Sequence, residues 1–260
     1  MNKKIKNILS KKGKRKIVSL TAYSKNIAKI LDDYCDIILV GDSMANVLYG
    51  MNNTHQLTLA NIIQHGLSVS KGVKKSLLII DMPKGSYDTV SKAKKNANKI
   101  LNITKADAVK IESNNKNFNI IRELVKNKIP VMGHIGYTPQ FKKKFKIEGK
   151  KKRDVVKLIN EALLVQKAGA FSIVLECITP STAKIITNTL KIPTIGIGSS
   201  TYCDGQILVT DDILGLSGFY PRFVKRYVNL TGIIKEVVKK YNKEVKAGVF
   251  PSKKNYLYGK

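Results

Sequence analysis

Short apolar runs alternate with amphipathic stretches from one end of this chain to the other, and that alternation most limits what it can fold into. The runs are KIVSLTA (16–22), DIILVGD (36–42), SLLIID (76–81), AVKIE (108–112), IPVMGHI (129–135), SIVLE (172–176), IPTIGI (192–197) and DILGLS (212–217). For the eighth, the QILVT just before it competes. They are rich in Ile, Val and Leu without polar alternation, as strands buried on both faces are. Between them, helical spacing predicts helices over 24–34, 57–72, 88–104, 117–127, 153–168 and 180–190. Ser24 is placed as an N-cap, Pro180 lies in a first turn, and Gly169 stands where a C-cap glycine ends a helix. Strands alternating with helices imply βαβ units and a parallel sheet. Eight such repeats predict an α/β fold of the closed (β/α)8 barrel kind. A doubly wound open sheet would favour a GxGxxG turn after the first strand, and none is there.

Four of the runs end in a carboxylate: Asp42, Asp81, Glu112 and Glu176. A parallel barrel opens its active site where its strands end, so these acids converge. Carboxylates around one cavity repel unless a cation or shared protons neutralise them. The pattern points to a divalent cation held by oxygen ligands, Mg²⁺ first. Lys110 lies two residues before Glu112 and shares its side of the strand, where a cation could bind a substrate carboxylate. His134 ends the fifth run, between the Glu112 and Glu176 strands, and is expected to line the site; His55 and His65 have no such placement. Glu176, further round the barrel, is the first candidate for a general base, with Lys or His as alternatives.

Composition narrows the partners. The 260 residues carry a formal net charge of +29, but Arg occurs only at positions 15, 122, 153, 222 and 226. Arg is the residue favoured for bidentate phosphate and base contacts, and the lysines are scattered along helix faces. Specific nucleic-acid binding is therefore not expected. No apolar run approaches the ~20 residues that span a bilayer. The basic N-terminus lacks the apolar core of a secretory signal, so a cytoplasmic location is expected. Cys35, Cys177 and Cys203 match no zinc or CxxC spacing and are expected to be reduced thiols. No linker divides the chain. It is expected to be a single barrel domain over 1–260, with a short basic N-terminal segment, a helix at 230–247 and a C-terminal tail.

The strings LTAYS, LVGDSMANVLYG, LLIIDMPKGSY, AVKIES, VMGHIGYTPQ, IVLECI, IPTIGIGSS, CDGQILVTDDILGL and AGVFP run in order from about residue 15 to 251. Together they resemble the ketopantoate (3-methyl-2-oxobutanoate) hydroxymethyltransferase family. That resemblance implies a (β/α)8 TIM barrel of the phosphoenolpyruvate/pyruvate type. It implies transfer of a hydroxymethyl group from 5,10-methylenetetrahydrofolate to 3-methyl-2-oxobutanoate, giving 2-dehydropantoate and tetrahydrofolate, with Mg²⁺. On the matching positions it implies Asp42, Asp81 and Glu112 as metal ligands. It further implies Asp42, Ser43, Asp81 and Lys110 as keto-acid contacts, Glu176 as proton acceptor and His134 as a supporting residue. It also implies a homo-oligomer, a decamer in the family, with small-molecule 2-oxo acid and folate partners.

Three positions depart from the family pattern. Ser24 replaces an acid, Lys84 replaces an aromatic in the DMPK turn, and FKKKFKIEGKKKR (141–153) replaces a glycine-rich lid. The alternatives at this point are a Mg²⁺-dependent 2-oxo-acid lyase or aldolase, a basic nucleic-acid-binding protein, and a scaffold with impaired catalysis.

Overall fold

The computed structural model describes residues 2–114, 117–142 and 144–256. Eight strands form a closed parallel barrel in chain order, with the last hydrogen-bonded back to the first. They are β1 Ile17–Thr21, β2 Ile37–Val40, β3 Leu77–Asp81, β4 Ala108–Glu112, β5 Val131–Gly136, β6 Ser172–Glu176, β7 Thr194–Ile197 and β8 Gly205–Leu208. The helices are α1 Lys3–Ser10, α2 Lys25–Leu31, α3 Met44–Val47, α4 Leu59–Ser70, α5 Val90–Thr104, α6 Phe118–Lys126, α7 Lys152–Lys167, α8 Pro180–Thr189, α9 Thr210–Leu214 and α10 Leu230–Lys246.

Local chemistry sets several boundaries. Thr58 and Asn61 form a reciprocal capping box at the start of α4, and Thr89 caps α5. Gly169, at φ +95°, follows the end of α7 in the left-handed conformation glycine adopts cheaply. Ser24 occupies the N-cap position of α2, yet its hydroxyl makes no capping bond. The Lys25 amide donates to Ser68 Oγ on α4 instead, at 3.1 Å.

The eighth strand is a correction. It is Gly205–Leu208, and DILGLS does not form a strand. Gly205 can pair against both β1 and β7 because it carries no side chain: a Cβ there would meet the Ile17 carbonyl oxygen at 2.5 Å. Asp211 and Asp212 then stand in the first turn of α9, where carboxylates complement the helix N-terminus.

The basic N-terminal segment is also more ordered than its composition indicated. As α1 it buries Ile5 and Ile8 among Ile17, Ile37, Leu77 and Ala108, residues that open strands, and so plugs the amino end of the barrel. Its lysines are tied to acids at that end. Lys4 pairs with Asp107 at 3.3 Å, Lys11 with Asp36, and Lys12 with Asp204 at 2.8 Å. A second, larger apolar cluster fills the layer between the strands and α2–α8.

The chain divides into two compact units, Met1–Thr210 and Asp211–Lys260. The first is the barrel. The second is built on α10, whose Asn229 caps it and whose Thr231 hydroxyl donates to the Gly215 carbonyl at 2.6 Å. Ile233, Ile234, Val237, Val238, Tyr241 and Val245 are exposed along α10. The C-terminal tail lies partly outside the described residues. Among them, no helix is long and apolar enough to cross a membrane.

Candidate active site at the carboxyl end of the barrel

Asp42, Ser43, Asp81, Lys110, Glu112, His134 and Glu176 all border one cavity of about 60 Å³. Thr21, Leu39, Pro139, Val174, Ile197, Ile207 and Leu208 complete its wall. These polar residues come from the carboxyl-terminal halves of β2 to β6 or the turns after them, because the parallel barrel aims all its carboxyl ends the same way. Lys110 and Glu112 face inward together by the two-residue period of β4.

Asp81 is the most tightly held acid. Its Oδ1 lies 2.9 Å from Lys110 Nζ, an ion-pair distance without hydrogen-bond alignment, and its Oδ2 accepts from the Asp42 amide at 2.9 Å. Burial pushes Asp81 up to about 6, with Lys110 pulling against it. Burial alone would discharge the Lys110 ammonium, but Asp81, Asp42 and Glu112 outweigh it and hold its pKa above the ordinary value. Both directions leave the pair ionised at neutral pH. Burial, reinforced by Asp42, raises Glu112 well above the usual carboxylate range.

His134 can be assigned a tautomer. Its Nδ1 lies 3.4 Å from Lys110 Nζ, and an ammonium only donates, so Nδ1 accepts. Nε2 then carries the proton and faces Glu176 Oε2 at 3.2 Å. Burial, aided by Lys110, holds the imidazole well below its ordinary pKa and keeps it neutral. Burial lifts Glu176 to about 7, against the opposing pull of Lys110. A carboxylate with that pKa is divided between acid and base at physiological pH. It is also the most accessible of the acids paired in this cluster: its side chain is 19% exposed, against 2% for Asp81 and 1% for Glu112.

Three residues that the sequence reading did not single out complete the site. Gln140 donates from Nε2 to Asp42 Oδ2 at 2.8 Å and to the Met82 carbonyl at 3.1 Å, and its amide donates to Glu112 Oε2 at 3.0 Å. Tyr87 donates to Gln140 Oε1 at 2.6 Å, and burial, then Glu112, keeps the phenol protonated. Tyr23 Oη sits 2.8 Å from Ser43 Oγ, and the Tyr23 carbonyl meets His65 Nδ1 at 2.7 Å. Gln140 stood in the GYTPQ string, but nothing in the local pattern says that a loop amide reaches two strand-end acids.

The lysine-rich loop over 141–153 is docked beside Glu176; its Lys143 lies outside the described residues. Lys142 Nζ reaches the Gly136 carbonyl at 2.6 Å and Glu148 Oε1 at 2.7 Å, while the Glu148 amide donates to the Cys177 carbonyl at 2.9 Å. Cys177 is buried, and burial followed by Glu176 pushes its thiol up to about 12, so it serves as a small packed residue. Lys84 Nζ lies 3.2 Å from His55 Nδ1, and His55 Nε2 is 3.0 Å from the Pro139 carbonyl at the cavity wall.

The acids are oxygen donors of the kind Mg²⁺ prefers. Glu112 Oε1 is buried without a hydrogen-bond partner among the described residues and has lone pairs to offer, while Asp81 Oδ1 already faces the Lys110 ammonium at 2.9 Å. As they stand, no three His, Cys, Asp or Glu among the described residues form a ready-made ligand cluster. Repulsion explains the spacing: each acid leans on its own donor, Asp81 on Lys110 and Asp42 on Gln140. Mg²⁺ commonly keeps several waters and takes only one or two carboxylates directly, so the residues fit such an ion.

Comparisons with known proteins bear on the family and the fold. A model of the ketopantoate hydroxymethyltransferase family matches residues 2–253. The 3-methyl-2-oxobutanoate hydroxymethyltransferase of Pelagibacter ubique is 51% identical over 98% of this chain and 99% of its own length. That of Anaplasma marginale is 48% identical over 95% of this chain and 90% of its own. Among solved structures, 2,3-dimethylmalate lyase, a PEP mutase/isocitrate lyase superfamily member, superposes with a TM-score of 0.64 at 13% identity, covering 97% of this chain and 87% of that one. Phosphonopyruvate hydrolase, in complex with oxalate and Mg²⁺, gives 0.63 at 11% identity, covering 97% and 93%. These two likenesses concern the barrel alone. The near full-length sequence matches decide the family: the chain belongs to the ketopantoate hydroxymethyltransferases.

Proposed function

We propose that this chain transfers a hydroxymethyl group from 5,10-methylenetetrahydrofolate to 3-methyl-2-oxobutanoate, giving 2-dehydropantoate and tetrahydrofolate, in pantothenate biosynthesis. The observation that carries the chemistry is the placement of Glu176, with a pKa of about 7, across one small cavity from the buried Lys110 ammonium. Lys110 receives the substrate carboxylate, and the Ser43 hydroxyl, oriented by Tyr23, donates to it. Leu39, Val174 and Ile207 face the isopropyl group. Glu176 removes the proton from C3 of the keto acid. The neutral His134 stands beside the Glu176 carboxylate, its Nε2 3.2 Å from Oε2 without hydrogen-bond alignment, close enough to reach it as the substrate enters. Water cleaves the methylene carbon from N5 and N10 of the folate, releasing tetrahydrofolate and leaving that carbon at the formaldehyde level. The C3 nucleophile bonds to it, its C=O becomes the new hydroxyl, and the proton held by Glu176 is returned to that oxygen.

Mg²⁺ is the metal we assign, held through Asp42, Asp81 and Glu112. When bound, it supplies Lewis acidity toward the keto and carboxylate oxygens of the substrate. The chain is further assigned to the cytoplasm and to a homo-oligomer.

The test is exchange of the C3 proton of 3-methyl-2-oxobutanoate in D₂O, followed by NMR with and without Mg²⁺. It needs no folate. Metal-dependent exchange that disappears in Asp42→Ala and Glu176→Gln supports the proposal. Folded protein that gives no exchange at any Mg²⁺ concentration refutes it and returns the impaired-scaffold reading.

A further inference from the structure

Gln140 donates to two of the three acids assigned to the metal, to Asp42 from its side chain and to Glu112 from its backbone amide, yet it is not itself a ligand for such an ion in this arrangement. It is buried, at 1% exposure, and its side-chain amide and its backbone N–H are all engaged. Nε2 donates to Asp42 Oδ2 and to the Met82 carbonyl, which follows Asp81 in the chain. The backbone amide donates to Glu112 Oε2. Oε1 accepts from Tyr87, itself only 3% exposed. The orientation is forced: Met82 and Asp42 offer only acceptors, so the NH₂ must face them, and the carbonyl is left for the Tyr87 hydroxyl.

We propose that Gln140, locked by Tyr87, is a positioning residue that sets the carboxylates of Asp42 and Glu112 for the divalent cation. The inference rests on the metal assignment under Proposed function. An amide suits this task better than a cation would. It offsets repulsion between Asp42 and Glu112 through donated hydrogen bonds, adds no net charge, and leaves Glu112 Oε1 without a hydrogen-bond partner, open to an incoming ion. Outer partners of this kind orient metal ligands, and their loss commonly weakens metal affinity by about 10–100-fold. Gln140 also stands immediately before Phe141 and Lys142, at the root of the lysine-rich loop, so the acids and that loop share one anchor.

The experiment measures Mn²⁺ binding to the full chain by the EPR signal of free Mn²⁺, with no substrate present. The variants are Gln140→Met, which keeps the volume and the backbone amide, and Tyr87→Phe, which removes one hydroxyl. The expected result is a Mn²⁺ Kd about tenfold weaker or more in Gln140→Met, with a smaller loss in Tyr87→Phe. At saturating metal, the KM for 3-methyl-2-oxobutanoate in C3 exchange should stay within about twofold of the parent, a split that general destabilisation would not produce. If both variants bind Mn²⁺ as tightly as the parent, the positioning role is wrong. If Gln140→Met does not fold, unchanged affinity in Tyr87→Phe is sufficient to overturn the proposal. If the parent itself binds no Mn²⁺, the metal assignment fails and this inference fails with it, an outcome distinct from the first.

Discussion

Replacing Glu176 by Gln should stop C3 proton exchange and, above neutral pH, make the protein more stable. The carboxyl rises from its ordinary 4.5 to about 7, chiefly through burial. Its proton is therefore held in the folded state over a window where the unfolded chain releases it. Stability from this group is fully present below 4.5 and is lost as pH rises through about 7. At about 1.36 kcal/mol per pH unit, the full shift is on the order of 3 kcal/mol, and residual solvent contact reduces it to about 1–2 kcal/mol. Glutamine keeps the shape and cannot ionise, so it escapes this penalty. Thermal unfolding should show Glu176→Gln melting about 2–8 °C above the parent at pH 8.5, and equal to it near pH 4.5. The same shift sets the activity profile. With a pKa of about 7, only about 1% of Glu176 is ionised at pH 5, where an unshifted carboxyl would be about three-quarters ionised. C3 exchange in the parent should therefore fall about 100-fold from its plateau to pH 5. A profile that stays flat down to pH 5, or a variant no more stable than the parent at pH 8.5, would refute the argument that burial tunes this carboxyl.

Three further outcomes follow from the contacts described. Lys110→Met removes the cation facing Asp81 and should destabilise the fold by about 3–5 kcal/mol in denaturant titration, because a buried charge is left unpaired. Gly136→Ala should abolish exchange and lower the melting point: the residue sits at φ +97°, and a Cβ would lie 2.2 Å from the Glu176 carbonyl oxygen. Asp32 is buried, which alone raises its pKa, yet the amides of Lys74, Lys75 and Ser76 overcome this and hold it below the ordinary 3.8. Asp32→Asn should cost about 2 kcal/mol at pH 7, and the difference from the parent should shrink as pH falls below 3.8, where the parent loses its own advantage.

Much of the architecture was legible. Seven of the eight predicted runs became strands within two residues of their bounds, because a strand buried on both faces must be apolar throughout and few other segments are. The eighth failed where two apolar runs lay side by side, and periodicity alone cannot say which one finds a partner. The pairing of Gly205–Leu208 with β1 decided it, a contact spanning almost the whole barrel. The N-terminal plug was hidden for a related reason. Ile5 and Ile8 are spaced as on a helix face, but the segment is too short and too basic to announce that face, and its lysines find their acids only where strands begin.

The residues that carry chemistry divide along the same line. The sequence by itself determined that Asp42, Asp81, Glu112 and Glu176 would meet, since each ends an apolar run and a parallel barrel gathers its strand ends. It also placed Lys110 among them, because side-chain direction along a strand follows a period of two, and His134, because it ends the fifth run between the Glu112 and Glu176 strands. What each residue can do was decided only in three dimensions. Glu176 is poised near neutrality because burial outweighs the pull of Lys110, and His134 stays neutral because burial and the Lys110 charge act together, quantities that depend on everything packed around them. Gln140 reaches Asp42 across 98 positions of chain and Tyr87 across 53, through a loop that no local pattern directs. A sequence records which groups are available and on which side of a strand they lie; dielectric environment and long-range hydrogen bonds exist only once the barrel has closed.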